Sequence, residues 1–167
     1  GTWYGSSTTQ EGLGWYDSGI NPFQRLNGGD GMQVQVDWRD NKTVYSGYQF
    51  GAYSRQTIGA GRESFKSVRP QRDLGETALR FNWQTPILIS RHNQDVFYYD
   101  SNKFHRSFNR GDSIKTLSGD LTTNPQQGDV PFGTLSTISE SPLRFGLIYV
   151  GTDDGNVQVT KDGGYSW

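Results

Sequence analysis

Gly151-Thr-Asp-Asp-Gly155-Asn-Val-Gln-Val-Thr160-Lys-Asp-Gly-Gly-Tyr165-Ser-Trp167 is the stretch on which the fold turns. It sets alternating Val157 and Val159 between two turns, Asp154-Gly155 and Asp162-Gly163-Gly164, whose glycines take positive φ at no steric cost. The stretch therefore reads as strand, tight turn, strand, second turn and the start of a third strand. Within it Thr160, Asp162, Gly164, Ser166 and Trp167 follow the pattern Ser/Thr-x-Asp-x-Gly-x-Ser/Thr-Trp. At that spacing a carboxylate accepts backbone N–H bonds across the turn, the glycine takes the left-handed position, and the indole covers the corner. A folding staple is the expected role, not a ligand site.

Working outward, the same order of elements recurs. Tyr45, Tyr98 and Tyr149 lie 53 and 51 residues apart, each inside a short apolar strand. Each of those strands follows an earlier one, at 32–37, 86–90 and 134–139, across a polar turn. A unit of about four strands in about 50 residues is the size of a propeller blade. The expected fold is all-β, with about three four-stranded antiparallel blades of a larger β-propeller: the end of a blade at 1–28, blades at 29–82 and 83–131, and an incomplete blade at 132–167. Residues 1–7 are expected as the third strand of the earliest blade and residues 12–20 as its outer strand. A worn copy of the turn pattern stands at Ser107, Asn109 and Gly111, with Ile114 in the place of the Trp, and none is visible at 55–65. A chain that stops on the Trp of such a motif is expected to be a piece of a longer protein.

Composition narrows function more than it defines it. Sixteen Lys and Arg against 17 Asp and Glu give a net charge of -1, which offers no electrostatic case for nucleic acid or an anionic membrane. No apolar run is long enough to span a bilayer as a helix. The absence of Cys excludes disulfides, thiolate zinc sites and thiol catalysis. Twenty-two Gly and 14% aromatic residues fit many short strands joined by turns.

The runs Gly28-Gly-Asp-Gly-Met-Gln-Val-Gln-Val-Asp37 and Leu79-Arg-Phe-Asn-Trp-Gln-Thr-Pro-Ile-Leu-Ile-Ser90, with the 151–167 stretch, resemble BNR/Asp-box β-propellers. The resemblance extends to propellers of the sortilin amino-terminal domain and to bacterial glycosyl hydrolase BNR-repeat proteins, over nearly the whole chain. It implies a propeller that is secreted, periplasmic or at the cell surface. Its function is implied only broadly, because sortilin-type members bind peptides and proteins while sialidases and xyloglucanases hydrolyse glycosides.

Two functions follow as expectations. One is a non-catalytic binding or scaffold propeller for a protein, peptide or glycan, resting on its remaining blades. The other is part of a carbohydrate-active hydrolase. A sialidase needs convergent Arg, a Tyr nucleophile and a Glu, yet Arg55, Arg62, Arg69, Arg72 and Arg80 show no spacing that selects a set. A xyloglucanase needs two carboxylates across a cleft. The resemblance places the amide Gln49 where one of them would stand, and leaves Asp100, Asp153 and Asp154 in later blades.

His92 and His105 lack partners at metal spacing, Asp153-Asp154-Gly155-Asn156 lacks the closing Glu of a calcium loop, and no cofactor is expected. Asn41-Lys42-Thr43 is a glycosylation sequon. Trp3, Trp15, Trp38 and Trp83 suit stacking on a ligand or packing between blades. Loops alternate between the two ends of an antiparallel blade, so the turns between second and third strands share one face with the crossovers between blades. That face is the candidate binding face, carrying Tyr48, Gln49, Phe50, Arg72, Arg80, Trp83, Asp153 and Asp154 and including 100–102.

Overall fold

A computed structural model describes residues 1–9, 14, 18, 19, 21–123 and 131–167. Among the described residues, thirteen strands fall into four antiparallel sheets that follow one another along the chain. The first sheet pairs β1 (Thr2–Tyr4) with β2 (Gln24–Asn27). The second runs β3 (Gln35–Val36), β4 (Thr43–Tyr48), β5 (Ala52–Thr57), β6 (Lys66–Ser67) in spatial order. The third repeats it with β7 (Ile87–Ile89), β8 (Phe97–Asp100), β9 (Phe104–Ser107) and β10 (Lys115–Thr116). The fourth holds β11 (Leu135–Glu140), β12 (Ile148–Thr152) and β13 (Val157–Thr160). A 3₁₀ turn at Arg62–Ser64 lies between β5 and β6.

The tyrosine spacing corresponds to one register. Tyr45, Tyr98 and Tyr149 face Gln35, Leu88 and Ser139 on the preceding strand, and Arg55, Arg106 and Val159 on the following one. Because neighbouring residues of a strand point to opposite faces, each central strand serves two interfaces. Phe97 and Tyr99 turn to the second sheet, where Phe97 stacks on Tyr45 at 4.5 Å and a cluster forms with Tyr53, Val68, Ile87 and Ile89. Tyr98 turns the other way, into a second cluster with Phe104, Leu135, Ile148 and Val150 of the fourth sheet. The core is thus a series of layers between blades.

Polar bonds tie the same layers together. The Ile87 and Ile89 amides at the free edge of β7 donate to Gln33 Oε1 and Gln35 Oε1, so side chains of one blade close the open strand edge of the next. Asn27 Nδ2 donates to Ser46 Oγ across the first two sheets at 2.6 Å. Most regular is an arginine latch. Arg55 Nη1 donates to the Arg110 carbonyl and Arg106 Nη1 to the Gly163 carbonyl, each at 2.6 Å. Arg110 and Gly163 hold the same place in successive turn motifs, both with positive φ. Their carbonyls are thereby offered to the preceding blade.

The first sheet holds a pairing that the sequence does not announce. The strand expected over 12–20 lies outside the described residues for the most part, and the partner of β1 is β2. The polar Gln-Arg-Leu-Asn sequence of β2 carries no alternation that would mark it.

Arg106→Met removes a charge-assisted bond and leaves the Gly163 carbonyl unpaired. Thermal unfolding followed by circular dichroism should show a loss of about 1.5 to 3 kcal/mol, a fall of about 3 to 10 °C in Tm. Val159→Met, at the equivalent position of the fourth sheet, should leave Tm within about 1 °C.

Candidate functional site

The turns after β4, β8 and β12 lie on one face with the crossovers that follow β6 and β10, and hydrogen bonds weld these loops together. Phe50 N donates to the Trp83 carbonyl, and Arg69 Nη2 to the Phe50 carbonyl. Arg80 is the hub: its amide donates to Asn102 Oδ1, Nε to the Gly133 carbonyl, and Nη2 to Asp120 Oδ2 at 2.7 Å and Thr122 Oγ1 at 3.0 Å. Asp153 accepts the amide and hydroxyl of Thr134, and Asp154 accepts those of Thr123. Gln49 pairs with Asp30, through Nε2 to Oδ2 at 2.8 Å and from the Asp30 amide to Oε1. Of the eight candidate binding residues, Gln49, Arg80, Asp153 and Asp154 are therefore anchors of the loops themselves.

Tyr48, Arg72 and Trp83 are exposed, and Phe50 is half-buried against the core. Tyr48 is 48% exposed and Trp83 52%. Phe50 and Trp83 meet edge to face with centroids 5.0 Å apart. Phe50 holds φ at 57°, a conformation that bulky side chains avoid, and is followed by Gly51 at 73°. A Cβ on Gly51 would approach within 2.4 Å of the Tyr99 hydroxyl, so the turn is pressed against the core. Two openings flank the 69–81 crossover. One, of about 410 Å³, is lined by Glu76, Ala78, Arg80, Asn102, Lys103 and Asp120. The other, of about 220 Å³, is lined by Arg69, Pro70, Arg72, Leu79 and Phe81, with the Arg69 guanidinium 4.4 Å above the Phe81 ring.

Asp100, expected as an exposed turn carboxylate, is instead the last residue of β8 and fully buried, with both oxygens unpartnered. Burial pushes its carboxyl well above the usual carboxylate range. Gly47 and Gly151 take the equivalent positions in the neighbouring sheets, opposite Tyr53 and Val157 as Asp100 is opposite Phe104. Ser101 and Asn102, expected on the same face, are also buried.

His105 is buried between Ser101 Oγ at 2.7 Å and Thr116 Oγ1 at 2.9 Å, and burial lowers its pKa to about 3. A serine and a neutral imidazole at hydrogen-bond distance are the beginnings of a nucleophile and base. Both are 0% exposed, so no substrate reaches them and the pair is a core hydrogen-bond network. His92, exposed in its turn, lies 2.9 Å from the Ser141 carbonyl.

The turn motifs occupy the opposite face. Asp162 accepts the amides of Tyr165 and Ser166, both at 3.0 Å, and the hydroxyls of Thr160 and Ser166. These bonds, that from the Ser166 hydroxyl foremost, hold its carboxyl far below the usual range. Gly164 donates to Thr160 Oγ1, and Trp167 Nε1 to the Gly164 carbonyl. The Trp167 ring rests on Phe104, centroids 5.2 Å apart. In the third sheet Asn109 Oδ1 accepts from the Ser113 amide and Ser107 Oγ, Gly111 donates to Ser107 Oγ, and Ile114 packs on the core in place of the indole. A further degenerate copy, easily missed because Gln replaces Asp, is Thr8-Thr-Gln10-Glu-Gly12-Leu-Gly14-Trp15. Residues 10–13 and Trp15 lie outside the described residues.

Trp3 and Trp38 are exposed on other parts of the surface. Arg55 is engaged with Arg110 and Asp112 and Arg69 with Phe50 and Phe81, while Arg69 and Arg72 line one opening and Arg80 the other. Asn41 of the sequon is exposed, in a turn with φ of 52°. Among the described residues no helix is long and apolar enough to cross a membrane, and no three His, Asp or Glu side chains group to hold a metal ion.

Successive antiparallel sheets packed face to face, with inner edges adjoining and loops collected at two ends, make this chain a β-propeller of about three blades. It is similar in fold to a solved structure of YCF48 bound to a D1 peptide, with a TM-score of 0.50 and 15% sequence identity. The likeness covers 82% of this chain and 39% of that one, so the chain spans well under half of that propeller. No protein-family model matches the chain, and no curated protein sequence does.

Asp100 gives a test through pH. Its raised pKa means that the folded chain holds a proton that the unfolded chain releases near pH 4, so its contribution falls as pH rises through and above that value. Asp162 works in the opposite sense, contributing above about pH 4 and losing its contribution in acid. Asp100→Asn should therefore gain in Tm relative to the wild type as the pH rises above about 4. A difference that stays constant as the pH rises would show that Asp100 does not carry the proton.

Proposed function

We propose that this chain is the peptide- or protein-binding portion of a non-catalytic β-propeller, with the ligand seated on the loop face around Tyr48, Phe50, Arg72 and Trp83. The observation that carries the reading is the edge-to-face pairing of half-exposed Trp83 with the backbone-strained Phe50, two residues after half-exposed Tyr48 and beside the two openings along the 69–81 crossover. Exposed aromatics on loops that are themselves rigidly anchored give apolar contact area at little entropic cost. Backbone strain held in place by its surroundings concentrates at ligand-binding positions. The solved propeller of similar fold has a peptide bound, which is support of a general kind.

The turn chemistry of Asp162 and Asn109 supports a finer placement among BNR/Asp-box propellers, related to the sortilin type, and with it a secreted, periplasmic or cell-surface location. The hydrolase reading lacks support from the carboxylates. Asp100 is enclosed, and Asp153 and Asp154 are committed to Thr134 and Thr123.

A random-peptide display screen against the chain, followed by titration of a selected peptide, tests the reading. Tyr48→Ala and Trp83→Ala should each weaken binding by about tenfold, equivalent to about 1.4 kcal/mol, with Tm unchanged. Asp162→Ala should lower Tm and leave the affinity of the folded fraction alone. Peptide binding lost on changing Asp162 and retained on changing Tyr48 and Trp83 would move the site to the other face.

A further inference from the structure

The crossover from β6 to β7 joins two four-stranded sheets, and the smaller of the two openings beside it is enclosed by that crossover alone. Its volume is about 220 Å³. Spaces of about 300 to 1,000 Å³ hold drug-sized ligands, so this one suits a single side chain of a longer ligand. The floor is apolar, with Phe81 buried in the layer between the two sheets and Leu79 packed against the same cluster. The rim is cationic, formed by Arg69 and Arg72.

Both rim arginines are held in place without being neutralised. Arg69 Nη2 donates to the Phe50 carbonyl while its guanidinium lies 4.4 Å above the Phe81 ring, and Arg72 Nη1 donates to the Glu76 carbonyl at 2.8 Å. The Glu76 carboxylate turns instead to Lys103, and Asp120 to Arg80, at the larger opening. Arg39, Arg55 and Arg80 each form an ion pair with an aspartate, whereas among the described residues Arg69 and Arg72 form none. A guanidinium carries five N–H donors in a planar fork, so one carbonyl each leaves both able to grip a carboxylate. The opening adjoins the aromatic pair through Arg69 and the larger opening through Ala78, so a bound chain has surface to follow on either side of it.

We propose that this opening receives an internal acidic segment of the peptide bound at the loop face. An apolar side chain of that segment rests on Phe81 and Leu79, and the side-chain carboxylate of a nearby Asp or Glu accepts from Arg72 and Arg69. This ligand chemistry rests on the peptide-binding reading above and makes it specific: an acidic and apolar sequence within the partner's chain, recognised without a terminal carboxylate.

The experiment starts from a display library with constant residues on both sides of the random stretch, so that no selected sequence offers a free terminus. Side chains two apart in an extended peptide share a face, and the selected sequences should be enriched in Asp or Glu within about two residues of a bulky apolar residue. In a synthetic peptide capped at both ends, replacing that acid by its amide should weaken binding to the wild-type chain by about tenfold. Against Arg72→Gln the same replacement should matter less, by about threefold or below, and a peptide with Lys in its place should bind Arg72→Glu more tightly than it binds the wild type. Arg72 is exposed, so both variants should melt as the wild type does; Arg69 is left intact because it also holds the Phe50 carbonyl. Peptides whose binding depends on Tyr48 and Trp83 but shows no coupling between the acid and Arg72 would overturn the acidic assignment and leave the loop-face reading standing. Affinity that appears only when the synthetic peptide carries a free C-terminal carboxylate would overturn the internal placement. Failure to select any peptide would overturn both readings.

Discussion

A four-stranded sheet of this size presents two apolar faces and cannot bury either by itself, so every blade depends on another sheet lying against it. This is the constraint from which the rest of the structure follows. It explains why the cores lie between sheets, why a single strand such as β8 sends Phe97 and Tyr99 one way and Tyr98 the other, and why three positions on it are wholly buried aromatics. Van der Waals contact alone would let such layers slide. The arginine latch limits that freedom, because a guanidinium directed at one carbonyl favours one position of a sheet against the next.

The latch also gives the Asp-box a second purpose. The bonds accepted by Asp162 and Asn109 close the turn within a blade, but the positive-φ residue in the middle of that turn, Gly163 or Arg110, has its carbonyl bound by the blade before it. Local turn chemistry and long-range docking are thus coupled through one peptide group. The coupling accounts for what survives in the worn motif at 107–114. Asn replaces Asp and Ile replaces Trp, yet the left-handed turn and its outward carbonyl are kept.

How much of this could be read from the sequence divides along the range of the interactions. Tyr45, Tyr98 and Tyr149 marked the blade repeat because register and turn length recur locally, and the Gly-rich turns declare themselves by composition. Arg80 did not declare itself as a hub. Its partners at Asp120, Thr122 and Gly133 lie 40 to 53 residues away, and no local pattern separates such an arginine from an exposed one. Asp100 misled for a related reason. The Asp-Ser-Asn sequence has the composition of a turn, but the strand pairing extends through Asp100 to Phe104 and carries the carboxylate into the layer between sheets. The edge bonds from Gln33 and Gln35 were likewise invisible, since a glutamine alternating with valine reads as the solvent side of a strand.

The two loop faces consequently differ in what they are free to do. On the Asp-box face Asp162, Arg55 and Arg106 are committed to turns and latches, so change at them acts on the turns and the docking of blades. On the other face the anchoring is delegated to Arg80, Asn82, Asp153 and Asp154, which hold the long crossovers without occupying their outer surface. That delegation lets Tyr48 and Trp83 remain half exposed on a support that does not yield. Phe50 shows the cost most directly: its left-handed backbone is maintained by the Trp83 carbonyl, the Arg69 guanidinium and the close fit of Gly51 against Tyr99. A turn needed only to reverse the chain would relieve that strain with glycine at position 50, whereas a phenylalanine kept there at φ of 57° places an aromatic ring beside Trp83 at the edge of the crossover.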